Sequence, residues 1–144
     1  MQDSTIQIKA LYLAWLIALI ATLSVLFIGE VMGQEPCLLC WYQRIAMFPL
    51  ALILGIACFK EDVAVWRYGL PLAVIGGAIA IWHSGLILGF IPKDIEPCGA
   101  GPSCSSADMF IFGGVPIPVL SIVAFGAIVI LLLFVRKGSR HELT

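Results

Sequence analysis

A chain of 144 residues suffices for one domain, yet 61% of it is hydrophobic, only 12% is charged, and its mean hydropathy is +1.06. Soluble domains carry about 25% charged residues, so this composition belongs to a membrane protein. A net charge of −1 and the lack of any basic run exclude a nucleic-acid partner.

The first uncharged run, Ala10 to Gly29, has 20 residues. As a helix it covers about 30 Å, enough to cross a bilayer. It is too long for the core of a signal peptide and no small-x-small cleavage site follows, so a retained span over about 10–30 is expected. The polar loop 31–40 then carries Cys37 and Cys40. A second span, about 41–59, has Arg44 near its start and Pro49 inside it, where a kink is expected. Lys60-Glu61-Asp62 leads to a third span, about 67–90, whose only ionisable residue at membrane depth is His83. Within it Gly85 and Gly89 form a small-xxx-small pair that predicts helix packing. The stretch 91–116 is rich in Gly, Pro and Ser, holds Cys98 and Cys104, and contains an expected interfacial segment, 108–112. The fourth span, about 117–135, stops at Arg136-Lys137. The expected fold is all-α: one membrane domain over 1–144, polytopic, a four-transmembrane-helix bundle.

Six of the eight basic residues, Lys9, Lys60, Arg67, Arg136, Lys137 and Arg140, fall on one side of this plan; Arg44 and Lys93 fall on the other. The positive-inside rule places both termini in the cytoplasm and the two cysteine-bearing loops outside. Four of the five cysteines then face a compartment where disulfides persist. Cys58, 18 residues beyond Cys40 and so about 27 Å along a helix, is left at the opposite surface as an inert buried thiol.

Cys37 and Cys40 sit at the expected start of a helix, at a spacing compatible with a disulfide. Arg44 lies one turn beyond Cys40, at i+4. A thiolate at a helix N-terminus beside a guanidinium ionises readily and makes a competent nucleophile, which favours a redox pair over a structural staple. A disulfide between Cys98 and Cys104 closes a ring so small that it contributes only about 2 kcal/mol, so a structural role explains it poorly. An exposed disulfide is suited instead to exchange with another protein. Four outward cysteines also match a tetrathiolate zinc site, against which the five-residue spacer and the oxidising side both speak; no metal is expected. Arg44 and His83, at one level with Trp41 and Trp82 nearby, are suited to line a pocket for a flat, polar-headed molecule dissolved in lipid.

The order Cys37-Leu-Leu-Cys40-Trp-Tyr-Gln-Arg44 in the first outer loop, with Cys98 and Cys104 in the second, resembles the DsbB/BdbC disulfide-bond-forming membrane proteins, and the BdbC branch most. The resemblance covers nearly the whole chain. It implies a quinone-dependent protein-disulfide oxidoreductase that reoxidises an extracytoplasmic DsbA/BdbD-like thiol oxidase of thioredoxin-like fold. Two electrons then pass to a membrane quinone, menaquinone or ubiquinone. By that likeness Cys37, Cys40, Cys98 and Cys104 are catalytic. Cys98–Cys104 meets the partner, Cys37–Cys40 reoxidises it, and Cys40 faces the quinone together with Arg44 and His83. The competing readings are a thiol-fed epoxide or quinone reductase running in the opposite direction, and a membrane metal-binding or structural protein with staple disulfides.

Overall fold

The computed structural model describes residues 2–97, 101, 103, 104, 110, 111 and 113–142. Four long helices dominate it: α1 (Gln2–Leu26), α2 (Leu38–Lys60), α3 (Trp66–Ile87) and α4 (Ile117–Glu142). All four are long and apolar enough to cross a membrane, as expected of a multi-pass membrane protein. They pack in a ring, α1 against α2 and α4, and α3 against α2 and α4. A two-stranded antiparallel hairpin, β1 (Phe110–Ile111) and β2 (Val115–Pro116), leads into α4. Phe110 and Ile111 of the expected interfacial segment are therefore strand, while its other residues lie outside the described ones.

The helix ends differ from expectation for identifiable reasons. The first helical stretch begins earlier and runs on through a π-helical turn, Phe27–Val31. The third ends at Ile87 because Gly89 takes a left-handed conformation (φ 80°) and the Phe90 N–H turns back to the Gly85 carbonyl at 3.0 Å. Gly89 is thus a helix terminator and not a packing residue: a Cβ there would meet nothing within 4 Å. Gly85 serves the loop, since a Cβ would stand 2.8 Å from Ile91 Cδ1. Pro49 and Pro71 both lie inside their helices.

The core follows a heptad-like stripe on each helix: Leu11, Ala14 and Ala18; Met47, Leu50, Leu54 and Ala57; Gly69, Ala73, Gly76 and Ala80; Phe125, Ile128, Leu132 and Val135. Small residues dominate the inward faces of α1 and α3, while Leu16, Ile20, Ile75 and Ile81 on the same helices point outward. That inversion suits lipid, which covers a large apolar side chain as well as a protein core does.

The tightest crossing is at Gly76, where a Cβ would run into the Phe125 ring and come within 3.0 Å of Ala46 Cβ. Replacement of Gly76 by Ala is expected to lower stability by about 1–3 kcal/mol, because the buried ring has nowhere to retreat. Denaturant unfolding in detergent would show it against Gly126→Ala, a site open within 4 Å. Equal midpoints for the two variants would refute the close packing.

The up-and-down order puts the C-terminal end of α3, the N-terminal ends of α2 and α4, and the π-helical turn at one end of the bundle. The opposite end carries Cys58, 2% exposed, and a cluster in which Arg67 and Arg136 each lie over the Trp66 ring, at 5.8 and 5.1 Å. Cys58 is accordingly remote from Cys37, Cys40 and Cys104, at the far end of the bundle.

Candidate functional site

The site grows from the start of α2. Cys37, not Cys40, is the residue that opens the helix. It is extended (φ −70°, ψ 171°), and its Sγ accepts the Cys40 N–H at 3.4 Å. A sulfur can replace the usual hydroxyl or carboxylate cap, and here the positive end of the helix dipole falls on Cys37. Cys40 lies in the first turn, half-buried, with its Sγ hydrogen-bonded to Cys37 Sγ at 3.2 Å. Both are thiols, as is Cys58, whereas Cys104 is in a disulfide. Cys98, the partner expected for it, lies outside the described residues.

Cys37 is fully buried, yet its thiol is held far below the usual range, at about 4. The Cys40 thiol is the largest cause, donating to the ionised sulfur. Burial works against it, and His83 and the Cys40 N–H support it. The expectation of a readily formed thiolate therefore holds for the pair, but the charge sits on Cys37. In the reduced protein the thiolate absorbance should persist down to about pH 4 and vanish below it, and Cys37→Ser should abolish that step. Because an unfolded cysteine keeps its proton up to about pH 9, ionisation of Cys37 stabilises the reduced fold increasingly as pH rises from about 4. Acidification through about 4 removes the contribution. A step near the ordinary thiol range would overturn this assignment.

His83, on α3, has no exposed surface and bridges the two cysteine loops. Its Nε2 is 3.7 Å from Cys37 Sγ and 3.0 Å from the Cys104 carbonyl oxygen. Its Nδ1 is 3.0 Å from Gln43 Nε2. His83, expected beside a quinone, has both ring nitrogens engaged here, one by Gln43 and the other by the two cysteines. Cys104, also fully buried, is held from the other side by Glu96, whose Oε1 accepts the Cys104 N–H at 2.6 Å and the Ser103 hydroxyl at 3.2 Å.

The ligand atoms of Cys37, His83 and Cys104 lie within 4.8 Å of one another. Such a trio is a possible metal set, but the Cys104 sulfur is committed to its disulfide and the donors are not four thiolates.

Arg44 reaches back to α1. It is half-buried, donates from Nη2 to the Val25 carbonyl at 3.1 Å, and lies 5.5 Å from the centroid of the Trp41 ring. The carbonyl is near the π-helical turn, where the regular ladder of α1 is disrupted. Gly29 makes the approach possible, since a Cβ there would be 3.0 Å from Arg44 Nη2. The structure therefore joins Cys37, Cys40, His83 and Cys104 in one cluster and sets Arg44 on its flank. Sequence reasoning missed Gln43, Glu96 and Val25. Gln43 alone carried a signal, as a polar residue within a membrane span.

The profile of the family described as Disulfide bond formation protein DsbB matches residues 7–135. The chain belongs to the DsbB family. Among its relatives, a probable disulfide formation protein of Metapseudomonas resinovorans is 58% identical over 139 residues, covering 96% of each chain. Disulfide bond formation protein C of Bacillus subtilis is 44% identical, covering 94% of this chain and 98% of its own. A probable disulfide formation protein of Chlamydia pneumoniae is 46% identical over 89% of this chain and 92% of its own. No solved structure matches at a significant level. As a DsbB-family member the chain is a disulfide oxidoreductase with a general role in disulfide bond formation.

Proposed function

We propose that this protein reoxidises an extracytoplasmic thioredoxin-like thiol oxidase and passes the electrons to a membrane quinone. The observation that carries this is the meeting of Cys37, His83 and Cys104 within 4.8 Å, which puts the two cysteine loops in range of thiol–disulfide exchange. A dithiol partner attacks Cys98 of the Cys98–Cys104 disulfide, and Cys104 leaves with the electron pair. When the partner's second thiol resolves the mixed disulfide, the partner is oxidised and the pair is a dithiol. The Cys104 thiolate then attacks Cys37 of the oxidised Cys37–Cys40 pair, forming a Cys37–Cys104 bond while Cys40 leaves as thiolate. Attack by Cys98 on Cys104 restores the outer disulfide and leaves Cys37 and Cys40 reduced. Stabilisation of the Cys37 thiolate makes the inner disulfide the better oxidant, which drives electrons inward.

The residues on the flank fit a quinone. Arg44 spends one of its five N–H donors on Val25, and Trp41 presents a lipid-facing ring, 51% exposed, one residue from half-buried Cys40. A quinone bound there supplies a two-electron, two-proton sink. Arg44 would hold a carbonyl oxygen by charge-assisted hydrogen bonds, and Cys40 would face the ring.

Purified protein with a quinone should oxidise a thioredoxin-like dithiol protein over many turnovers, and stoichiometric oxidation only would count against the reading. The basic residues at the Trp66 end support a topology with both termini in the cytoplasm. A cysteine introduced at Ser139 should resist impermeant thiol reagents in intact cells, and outward labelling would reverse the topology.

A further inference from the structure

Gln43 and His83 meet 40 residues apart in sequence, and their chemistry settles where the ring hydrogen lies. The Cys104 carbonyl oxygen has only lone pairs, so the atom 3.0 Å from it, His83 Nε2, carries hydrogen. A neutral ring with hydrogen on Nε2 has a bare Nδ1 that can only accept. Opposite Nδ1 stands the Gln43 amide nitrogen, a group that can only donate. The two bonds therefore agree on one tautomer. The reversed amide would require a second hydrogen, and a charge, on a ring with no exposed surface.

We propose that Gln43 is a positioning residue that fixes His83 as the neutral Nε2–H tautomer, so that one immobile donor serves both the Cys37 sulfur and the Cys104 carbonyl. Gln43 is itself buried on α2, and the amide–imidazole bond ties α2 to α3 at the level of the cysteines. The tautomer matters because the other one would present a lone pair to the Cys37 thiolate and to the carbonyl, repelling both. This inference rests on the reading that the two sulfurs exchange electrons, but the tautomer can be measured without any turnover.

The test uses full-length protein with ¹⁵N-labelled histidine in detergent and a His141→Gln background, which leaves His83 as the single histidine. At neutral pH the ring should show a protonated Nε2 and a bare, hydrogen-bonded Nδ1. Gln43→Leu should move the Nδ1 resonance to its unbonded position. It should also lower partner-oxidising turnover about tenfold while the apparent KM for the partner stays unchanged. The near-isosteric Gln43→Glu, whose carboxylate can only accept, should bring hydrogen to Nδ1, with helical content and thermal midpoint unchanged. A wild-type ring protonated at Nδ1, or at both nitrogens, would overturn the proposal. So would Nδ1 resonances indifferent to Gln43→Leu, or a Leu variant of full turnover. Failure of the wild type to oxidise any dithiol protein would refute the proposed function, whereas the ring spectra would still decide whether Gln43 sets the tautomer.

Discussion

Cys37→Ser is expected to reduce this protein to a single exchange with its partner. Cys37 is the buried sulfur 3.7 Å from His83 Nε2, on the side where Cys104 is held. Without it the Cys104 thiolate has no disulfide to attack, because Cys40 alone cannot form the inner pair. The outer disulfide can still oxidise one equivalent of dithiol partner, ending as the Cys98 and Cys104 thiols. A rapid-mixing experiment should therefore show a burst of one equivalent followed by steady turnover at least about a thousandfold below wild type. The variant should still fold, since a serine hydroxyl caps a helix at least as well as a thiol does. Sustained turnover would mean that electrons bypass Cys37.

Arg44→Met carries the second large effect. Methionine keeps much of the apolar stem but removes every N–H donor, leaving the Val25 carbonyl without its 3.1 Å partner. Loss of one charge-assisted hydrogen bond to a bound quinone should cost about 1.5–3 kcal/mol, a ten- to hundredfold fall in quinone-dependent turnover. Single-turnover exchange with the partner should change little, because Arg44 lies away from the His83 cluster. A quinone titration at saturating partner separates the two outcomes. Wild-type quinone affinity and turnover would mean that Arg44 serves only to tie α2 to the end of α1.

The four helices were legible because hydropathy is a property of each segment by itself. Their inward faces were not: Leu16 and Ile20 are as apolar as Leu11, so no polar face marks the outside, and only small residues such as Ala14, Ala73 and Gly76 betray the contacts. The cysteine spacing and Arg44 were legible as local patterns, yet i+4 spacing could not say that Arg44 swings toward Val25. That choice depends on a carbonyl near the disrupted ladder of another helix and on the missing side chain of Gly29. Which of the two cysteines takes the charge was hidden for a similar reason, since the helix begins three residues before the expected start of the second span and Cys37 caps it. His83 read as a lone histidine because Gln43 and Cys104, which define it, are brought to it only by the fold.

Glu96 and His83 grip the main chain of Cys104, one by its N–H at 2.6 Å and the other by its carbonyl at 3.0 Å. Neither grip involves the disulfide, so opening that bond leaves the Cys104 backbone anchored. The released sulfur then faces Cys37 at a fixed effective molarity that owes nothing to how much partner is present. In the proposed cycle, transfer between the loops is then expected to be first-order, with dilution of the partner slowing only its arrival. On the proposed cycle, abundant partner moves the ceiling on flux inside the membrane, to the supply of oxidised quinone beside Arg44.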